Sequence, residues 1–373
     1  MFVSHKILVT GGAGFIGSFL VDELVKQGHH VRIFDNLEPQ VHQGGVPNYM
    51  NKNAEFIRGD VLDYAALKKA TEDIEIIFHQ AARVGVGQSM YLVKGYVGVN
   101  TLGTANLLDI LVNTNNNVKK LVVASSMSTY GEGSYKCDDC SIVYPKLRAE
   151  QQLQKRDWEM RCPKCNKTVQ PIPTKEEKTQ DTTSVYAITK KDQEDMCLNI
   201  GRSYGIPTVA LRYFNVYGPR QSLSNPYTGV AAIFQSRLKN NNPPVIYEDG
   251  LQTRDFVSVR DVVAANILSM KNSVADYEAL NVGTGKPVNI KQIAELLAKL
   301  MKKKINPRIT NQFRKGDIRH CFADISKIKN KLDFEPKVKF TDGIKELVKW
   351  SSGEAAADRF EQATQELKNK NLI

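Results

Sequence analysis

Tyr186 and Lys190, four positions apart in SVYAITKKD, are of types and spacing that could do acid–base chemistry. On a helix they share one face. An ammonium beside a phenol favours the phenolate, so Lys190 is expected to draw the Tyr186 pKa toward working pH. A YxxxK match is common by chance. Ser126 strengthens it, because it closes the apolar run KKLVVASS and strand ends line the ligand crevice of a parallel sheet. The three supply a base/acid (Tyr186), its electrostatic tuner (Lys190) and a hydroxyl donor to a substrate oxygen (Ser126).

A second constellation sits at residues 10–17, TGGAGFIG, where Gly11, Gly14 and Gly17 give the spacing GxxGxxG between a strand pattern and a helix pattern. Glycines let the backbone approach a pyrophosphate, and the helix N-terminus presents unpaired N–H groups to it. The next strand pattern ends at Phe34 and is followed by Asp35. A carboxylate there accepts from adenosine ribose hydroxyls and repels a 2′-phosphate, so NAD is expected rather than NADP. Lys190 would then also anchor the cofactor ribose. Asp60 in RGDV is either an adenine neighbour or a turn aspartate.

The third constellation is C-x2-C-x21-C-x2-C: Cys137, Cys140, Cys162 and Cys165. Two CxxC knuckles can offer four thiolates to a structural zinc with no open position for substrate. Reduced thiols or a redox pair are the alternatives. Cys197 and Cys321 stand alone and read as buried thiols.

The elements that must position these groups follow from periodicity. Strand patterns at 6–10, 30–34, 54–59, 75–79 and 119–126 alternate with helical patterns at 15–27, 63–72 and 98–113. Unbroken apolar strands alternating with helices predict an α/β fold, a Rossmann-type doubly wound parallel sheet. From 132 to 182 the rhythm breaks into an insertion that holds the cysteines. It resumes with a helix at 185–204 and a strand at 207–213. Residues 1–213 are therefore expected to form the cofactor-binding domain, 214–350 mainly a smaller substrate lobe, and 351–373 a polar helical tail. The insertion, falling between Ser126 and Tyr186, should sit near the mouth of the active site and staple a loop that shapes it.

The formal net charge of +11 is spread along the chain, with only short clusters such as KKK at 302–304. That suits a solvated lysine-rich surface, or capture of a phosphate-bearing ligand. A nucleic-acid binder would cluster basic and aromatic residues and would not need Tyr186, Lys190 or Ser126. A redox-sensing binding protein on the same fold could discard the tyrosine and lysine. No apolar run is long enough to cross a bilayer, and no leader pattern precedes KILVT, so a cytoplasmic enzyme is expected.

TGGAGFIG, Asp35-Asn36, GDV, HQAA, SSMSTYG, YAITK, RYFNVYGP and RDFVSVRDV together resemble the extended short-chain dehydrogenase/reductase family, over about residues 5–350. The resemblance implies that Phe15, Ile16, Asn36, Val61, Ala81, Ala82 and Asn100 also border the cofactor. It further implies that Asn215 and Arg254 hold a substrate diphosphate, that Arg314 is another arginine of the nucleotide pocket, and that the chain forms a homodimer through helices around 98–113 and 185–204. Members that remove water or carbon dioxide from a nucleotide sugar carry carboxylates just after the serine. Met127 and Ser128 stand there instead, and neither is a general acid or base at neutral pH. Inversion at carbon 4 needs no further carboxylate: Tyr186 would take the 4-hydroxyl proton while hydride passes from carbon 4 to NAD, the 4-keto sugar would turn about its diphosphate tether, and hydride would return to the opposite face as Tyr186 gives the proton back to the oxygen. NLEPQVHQGG, AARVGVGQSMY, SNPYTGVAAIF and the cysteine insertion are similar to bacterial enzymes that interconvert dTDP-L-rhamnose and dTDP-6-deoxy-L-talose. On that likeness Gln88, Ser89, Asn225 and Tyr227 face the sugar or nucleotide, or else are polar loop residues. A UDP-glucose/UDP-galactose 4-epimerase and a 4-keto-sugar reductase are the competing readings.

Overall fold

The computed structural model describes residues 4–42 and 45–373. Gln43 and Gly44 of the NLEPQVHQGG segment lie outside the described residues.

Seven strands form one parallel sheet: β1 (Lys6–Thr10), β2 (His30–Asp35), β3 (Glu55–Arg58), β4 (Ile76–His79), β5 (Lys120–Ser126), β6 (Thr208–Tyr213) and β7 (Glu278–Val282), in spatial order β7-β6-β5-β4-β1-β2-β3. Successive side chains leave opposite faces, which is why the strands are apolar throughout. In β1, Ile7 and Val9 join the core on one face and Leu8 joins the core on the other. The first core is covered by the helices Phe15–Lys26 and Val259–Lys271. The second is covered by Tyr64–Thr71, Gly103–Asn113 and Val185–Tyr204, with Cys197 buried in it. Strand order reverses between β1 and β4, and a sheet of this kind opens its ligand crevice at such a switch point.

Two differences from the sequence reading bear on the site. The chain beyond 213 does not leave the sheet for good: Val259–Lys271 packs on Phe15–Lys26, and β7 extends the sheet beside β6. The 213/214 boundary is therefore crossed. The short run EALNV, two of whose five residues are polar, makes a weak strand pattern even though the turn residues GTG follow it. The helix expected at 98–113 also begins irregularly, with a π-helical stretch over Val97–Leu102 that carries Asn100 into the interior.

The second lobe packs the helices Val230–Lys239, Ile290–Leu300 and Phe340–Ser351 around Tyr217 and Phe256. The insertion forms a three-stranded antiparallel sheet, Ser134–Cys137 between Ser141–Val143 and Gln170–Ile172. Tyr135, Val143, Met160 and Val169 make a small core there with Cys137 and Cys162. Among the described residues no helix is long and apolar enough to cross a membrane.

Candidate active site

One cavity of about 640 Å³ runs from the glycine loop past the end of β5 to the second lobe. Gly11 lies at φ +69°, a backbone conformation that favours glycine. A Cβ on Gly17 would stand 2.2 Å from the Gly11 carbonyl oxygen, so packing alone excludes a side chain there. Gly14 is different. Its backbone is extended, and an added Cβ would meet only the Gly11 oxygen, at 3.3 Å. What its missing side chain leaves open is the cavity end of the helix Phe15–Lys26, where the first-turn N–H groups have no partner within the helix. A pyrophosphate fits that cradle.

Phe15, Ile16, Asp35, Asn36, Asp60, Val61, Ala81 and Ala82 border the same half of the cavity. The Asp35 carboxylate accepts from the backbone N–H of Ala13 (3.1 Å) and Leu37 (2.9 Å), which fixes it beside the glycine loop. Asn36 Nδ2 donates to Asp60 Oδ2 at 2.8 Å, so Asp60 holds a neighbouring side chain as well as its own turn. Asn100 is fully buried and does not border the cavity. Its amide grips the Arg83 backbone (2.7 and 3.1 Å) and the Thr189 hydroxyl (2.9 Å), behind the helix that carries Tyr186.

Ser126 ends β5 and caps the short turn after it, its Oγ accepting from Ser128 N–H (3.2 Å) and from the Ser128 hydroxyl (2.9 Å). Ser184 caps the helix of Tyr186 and Lys190 by accepting from Ala187 N–H at 3.1 Å. Burial pushes the Tyr186 pKa up, and the nearby Ser126 hydroxyl, which pulls it down, does not offset that. Burial also pushes Lys190 down to about 7, which weakens its hold on a charge near neutrality. The lowering of Tyr186 expected from Lys190 is thus not what the protein alone provides. Lys190 Nζ donates to Gln193 Oε1 (2.7 Å), and Gln193 Nε2 donates to Thr104 Oγ1 (2.8 Å) beside His79. Gln193, Thr104 and His79 are all fully buried. This polar chain was missed in the sequence, where nothing distinguishes Gln193 from a surface glutamine.

In the other half, Gln88, Asn215, Asn225, Tyr227, Arg254 and Arg314 border the cavity. Asn215 Oδ1 is buried with no partner. Arg254 donates to the carbonyls of Thr253, Arg319 and Ile318 (2.7–2.9 Å), which fixes its plane and leaves Nε–H and one terminal N–H free. Arg314 donates to Asp317 (2.8 Å) and lies over the Tyr247 ring, 4.8 Å from its centroid. Ser89 does not border the cavity. It is fully buried, and its Oγ accepts from the backbone N–H of Tyr186 at 3.0 Å, so it seats the helix instead of facing a sugar.

The ligand atoms of Cys137, Cys140, Cys162 and Cys165 all lie within 4.8 Å of one another, and Cys137 Sγ is 3.5 Å from Cys165 Sγ. Tetrahedral thiolates at a zinc–sulfur distance near 2.3 Å stand roughly 3.8 Å apart, so the donor set fits that ion. No residue of 132–182 borders the cavity, so the insertion is not at its mouth. It acts from behind the wall. Arg148 forks onto the Glu248 carboxylate (2.8 and 2.9 Å), and the fully buried Arg319 joins Glu248, Asp249 and Glu159. Glu248 borders the cavity.

Two family profiles match the chain: the NAD dependent epimerase/dehydratase family over residues 7–155, and GDP-mannose 4,6 dehydratase over 168–347. A dTDP-L-rhamnose 4-epimerase of Burkholderia thailandensis is 35% identical, over 94% of this chain and 95% of its own length. The chain belongs to the NAD dependent epimerase/dehydratase family. Within it, the class is that of the nucleotide-sugar 4-epimerases. A putative UDP-glucose 4-epimerase of Methanocaldococcus jannaschii is 33% identical over 92% of this chain and 97% of its own. A Thermotoga maritima UDP-glucose 4-epimerase solved with UDP-glucose superposes with a TM-score of 0.77 at 32% identity, covering 93% of this chain and 98% of that one.

Proposed function

We propose that the protein inverts carbon 4 of dTDP-L-rhamnose to give dTDP-6-deoxy-L-talose, with tightly held NAD. The observation that carries the reading is one continuous cavity in which Ser126, Tyr186 and Lys190 stand between the glycine-loop half and the half bordered by Asn215, Arg254 and Arg314. The glycine loop and Asp35 would hold NAD, which supplies a reversible hydride acceptor for the 4-carbon. Tyr186 Oη takes the 4-hydroxyl proton and gives it back. Ser126 donates to the same sugar oxygen and polarises it. Lys190 tunes the phenol electrostatically. The free N–H groups of Arg254 suit the diphosphate tether about which a 4-keto sugar turns, and the Asn215 amide, whose oxygen has no partner, would serve that tether through its Nδ2 donor. Arginine in a fixed plane matches phosphate oxygens. No carboxylate follows Ser126: Met127 borders the cavity, and Ser128 is bonded to Ser126.

The deciding experiment is proton NMR of purified protein with dTDP-L-rhamnose, and separately with UDP-galactose, with no cofactor added. Conversion of the dTDP sugar supports bound cofactor, reaction and substrate together. Reaction of UDP-galactose alone replaces the substrate and keeps the mechanism. No reaction of either, even with NAD supplied, overturns the epimerase assignment.

The four cysteines are read as a structural zinc site, and metal analysis of protein purified without chelator should return one zinc per chain. A homodimer is also part of the reading. Val93, Val97, Leu102 and Ile188 are exposed apolar residues near the helices expected to pair, and light scattering measures the mass directly.

A further inference from the structure

The helix Phe360–Asn369 falls in the stretch whose sequence reads as a polar tail, yet it closes one end of the cavity. Phe360, Ala363, Thr364 and Leu367 share one face at helical spacing, and all four border it. The segment is fastened from several sides. Arg237 lies over Phe360, 4.5 Å from its centroid, and donates to Glu361, while the Leu372 carbonyl accepts from Lys315 N–H at 3.0 Å. Leu367 packs on Gly87, where an added Cβ would stand 3.3 Å away.

On the same helix Glu366 meets two tyrosines. Its Oε2 is 2.8 Å from Tyr91 Oη and 2.6 Å from Tyr227 Oη, and the two phenolic oxygens are 2.5 Å apart. Tyr227 borders the cavity; Tyr91 and Glu366 stand behind it. This is the catalytic end. A Cβ on Gly85 would lie 3.0 Å from Tyr227 Cβ and 2.8 Å from Tyr96 Oη, and the Tyr96 ring stands edge-on to Tyr186 at 6.5 Å.

The proton count gives the triad a chemical sense. The two phenols donate to Glu366 and hold its pKa below the usual carboxylate range. An ionised carboxylate only accepts. Three contacts share two phenolic protons, so both protons stay within the triad. Tyr227, the member of the triad that borders the cavity, therefore has no proton left to give and can only accept, with a negative charge behind it. A sugar hydroxyl can donate to it; a sugar carboxylate cannot, and is repelled. Arg83, the cationic neighbour of Tyr96 at this end, is turned toward Glu38 at 3.6 Å.

Building on the epimerase reading, we infer that Glu366 is a positioning residue that sets Tyr227 as an acceptor for a sugar hydroxyl, so that the cavity takes neutral sugars and rejects hexuronates. Calorimetric binding to the purified holoenzyme tests it, with glucose and glucuronate linked to UDP and to dTDP and with the two bare diphosphates. Wild type should favour glucose over glucuronate by about tenfold or more, as expected for one hydrogen bond with a charged partner gained or lost. Glu366→Leu should cut that preference to less than about threefold and leave the bare diphosphates within about twofold, since the lesion lies at the sugar end. Tyr91→Phe, which removes two of the three contacts but no charge, should fall between. Equal wild-type affinity for glucuronate overturns the inference, as does a preference unchanged in Glu366→Leu. A wild type that prefers neutral sugars yet converts neither substrate in the NMR experiment removes the epimerase reading and leaves the pocket's selectivity standing.

Discussion

At the residue scale, the proposed chemistry rests on three side chains drawn from one strand end and one helix face. Ser126, Tyr186 and Lys190 meet because a strand end and a helix face are fixed by local pattern. Gln193, Ser89 and Asn100 work through contacts between segments far apart in the chain, and no spacing announces those. Tyr186→Phe removes the only proposed proton carrier, and turnover should fall about 10²–10⁴-fold with nucleotide-sugar binding nearly unchanged, as steady-state kinetics and calorimetry would show. Lys190 makes a sharper prediction. Burial holds its folded pKa at about 7, below the ordinary lysine value of 10.5, so between those limits the unfolded chain carries the extra proton and stability rises with pH. Below about 7 the cost of the buried charge is fully present; toward 10.5 it vanishes. Lys190→Met should therefore be more stable than wild type at pH 7, with the difference shrinking toward pH 10 in paired melting curves of cofactor-free protein. A difference that is flat with pH would show that Lys190 titrates normally.

At the element scale, the insertion and the last helix behaved differently from their sequence patterns. The cysteine spacing correctly brought four thiolates together. Its place in the chain, between Ser126 and Tyr186, suggested a position at the cavity mouth, yet the insertion turns outward and reaches the wall through Arg148 and Glu159. Chain proximity to Ser126 and Tyr186 says little about where the segment 132–182 between them folds. In the tail, Phe360, Ala363 and Leu367 do recur at i, i+3 and i+7, but so few apolar residues among so many charges give a weak signal. Arg148→Met tests the buttress. It leaves Glu248 with Arg319 as its remaining cation, and losing one partner from a buried charge network costs up to about 3–5 kcal/mol. Denaturant melts should register that loss, and nucleotide-sugar affinity should fall with it because Glu248 borders the cavity. A loss of stability with unaltered affinity would separate the insertion from the site.

At the scale of the whole molecule, the sheet and the second lobe are stitched together instead of placed in series. The chain leaves β6 for the lobe, returns with Val259–Lys271 to cover the helix after the glycine loop, adds β7 to the sheet edge, and leaves again. The Asp255 carboxylate accepts from Thr284, Gly285 and Ala323 N–H groups, tying the lobe strand Thr253–Ser258 to the turn that leaves β7. Neither part can lose its packing without exposing apolar surface of the other. The insertion is the exception, with a small core of its own that a metal would complete. Calorimetry of the metal-loaded protein should therefore give one cooperative transition for sheet and lobe together, not two. Stripping the metal should release the segment 132–182 first, as faster hydrogen exchange confined to it and to the Glu248 wall, while the main transition persists at lower temperature. Two resolved transitions in the metal-loaded protein would mean that the interleaving does not couple the halves. Full activity with an unfolded insertion would mean that the wall behind the cavity stands without its buttress.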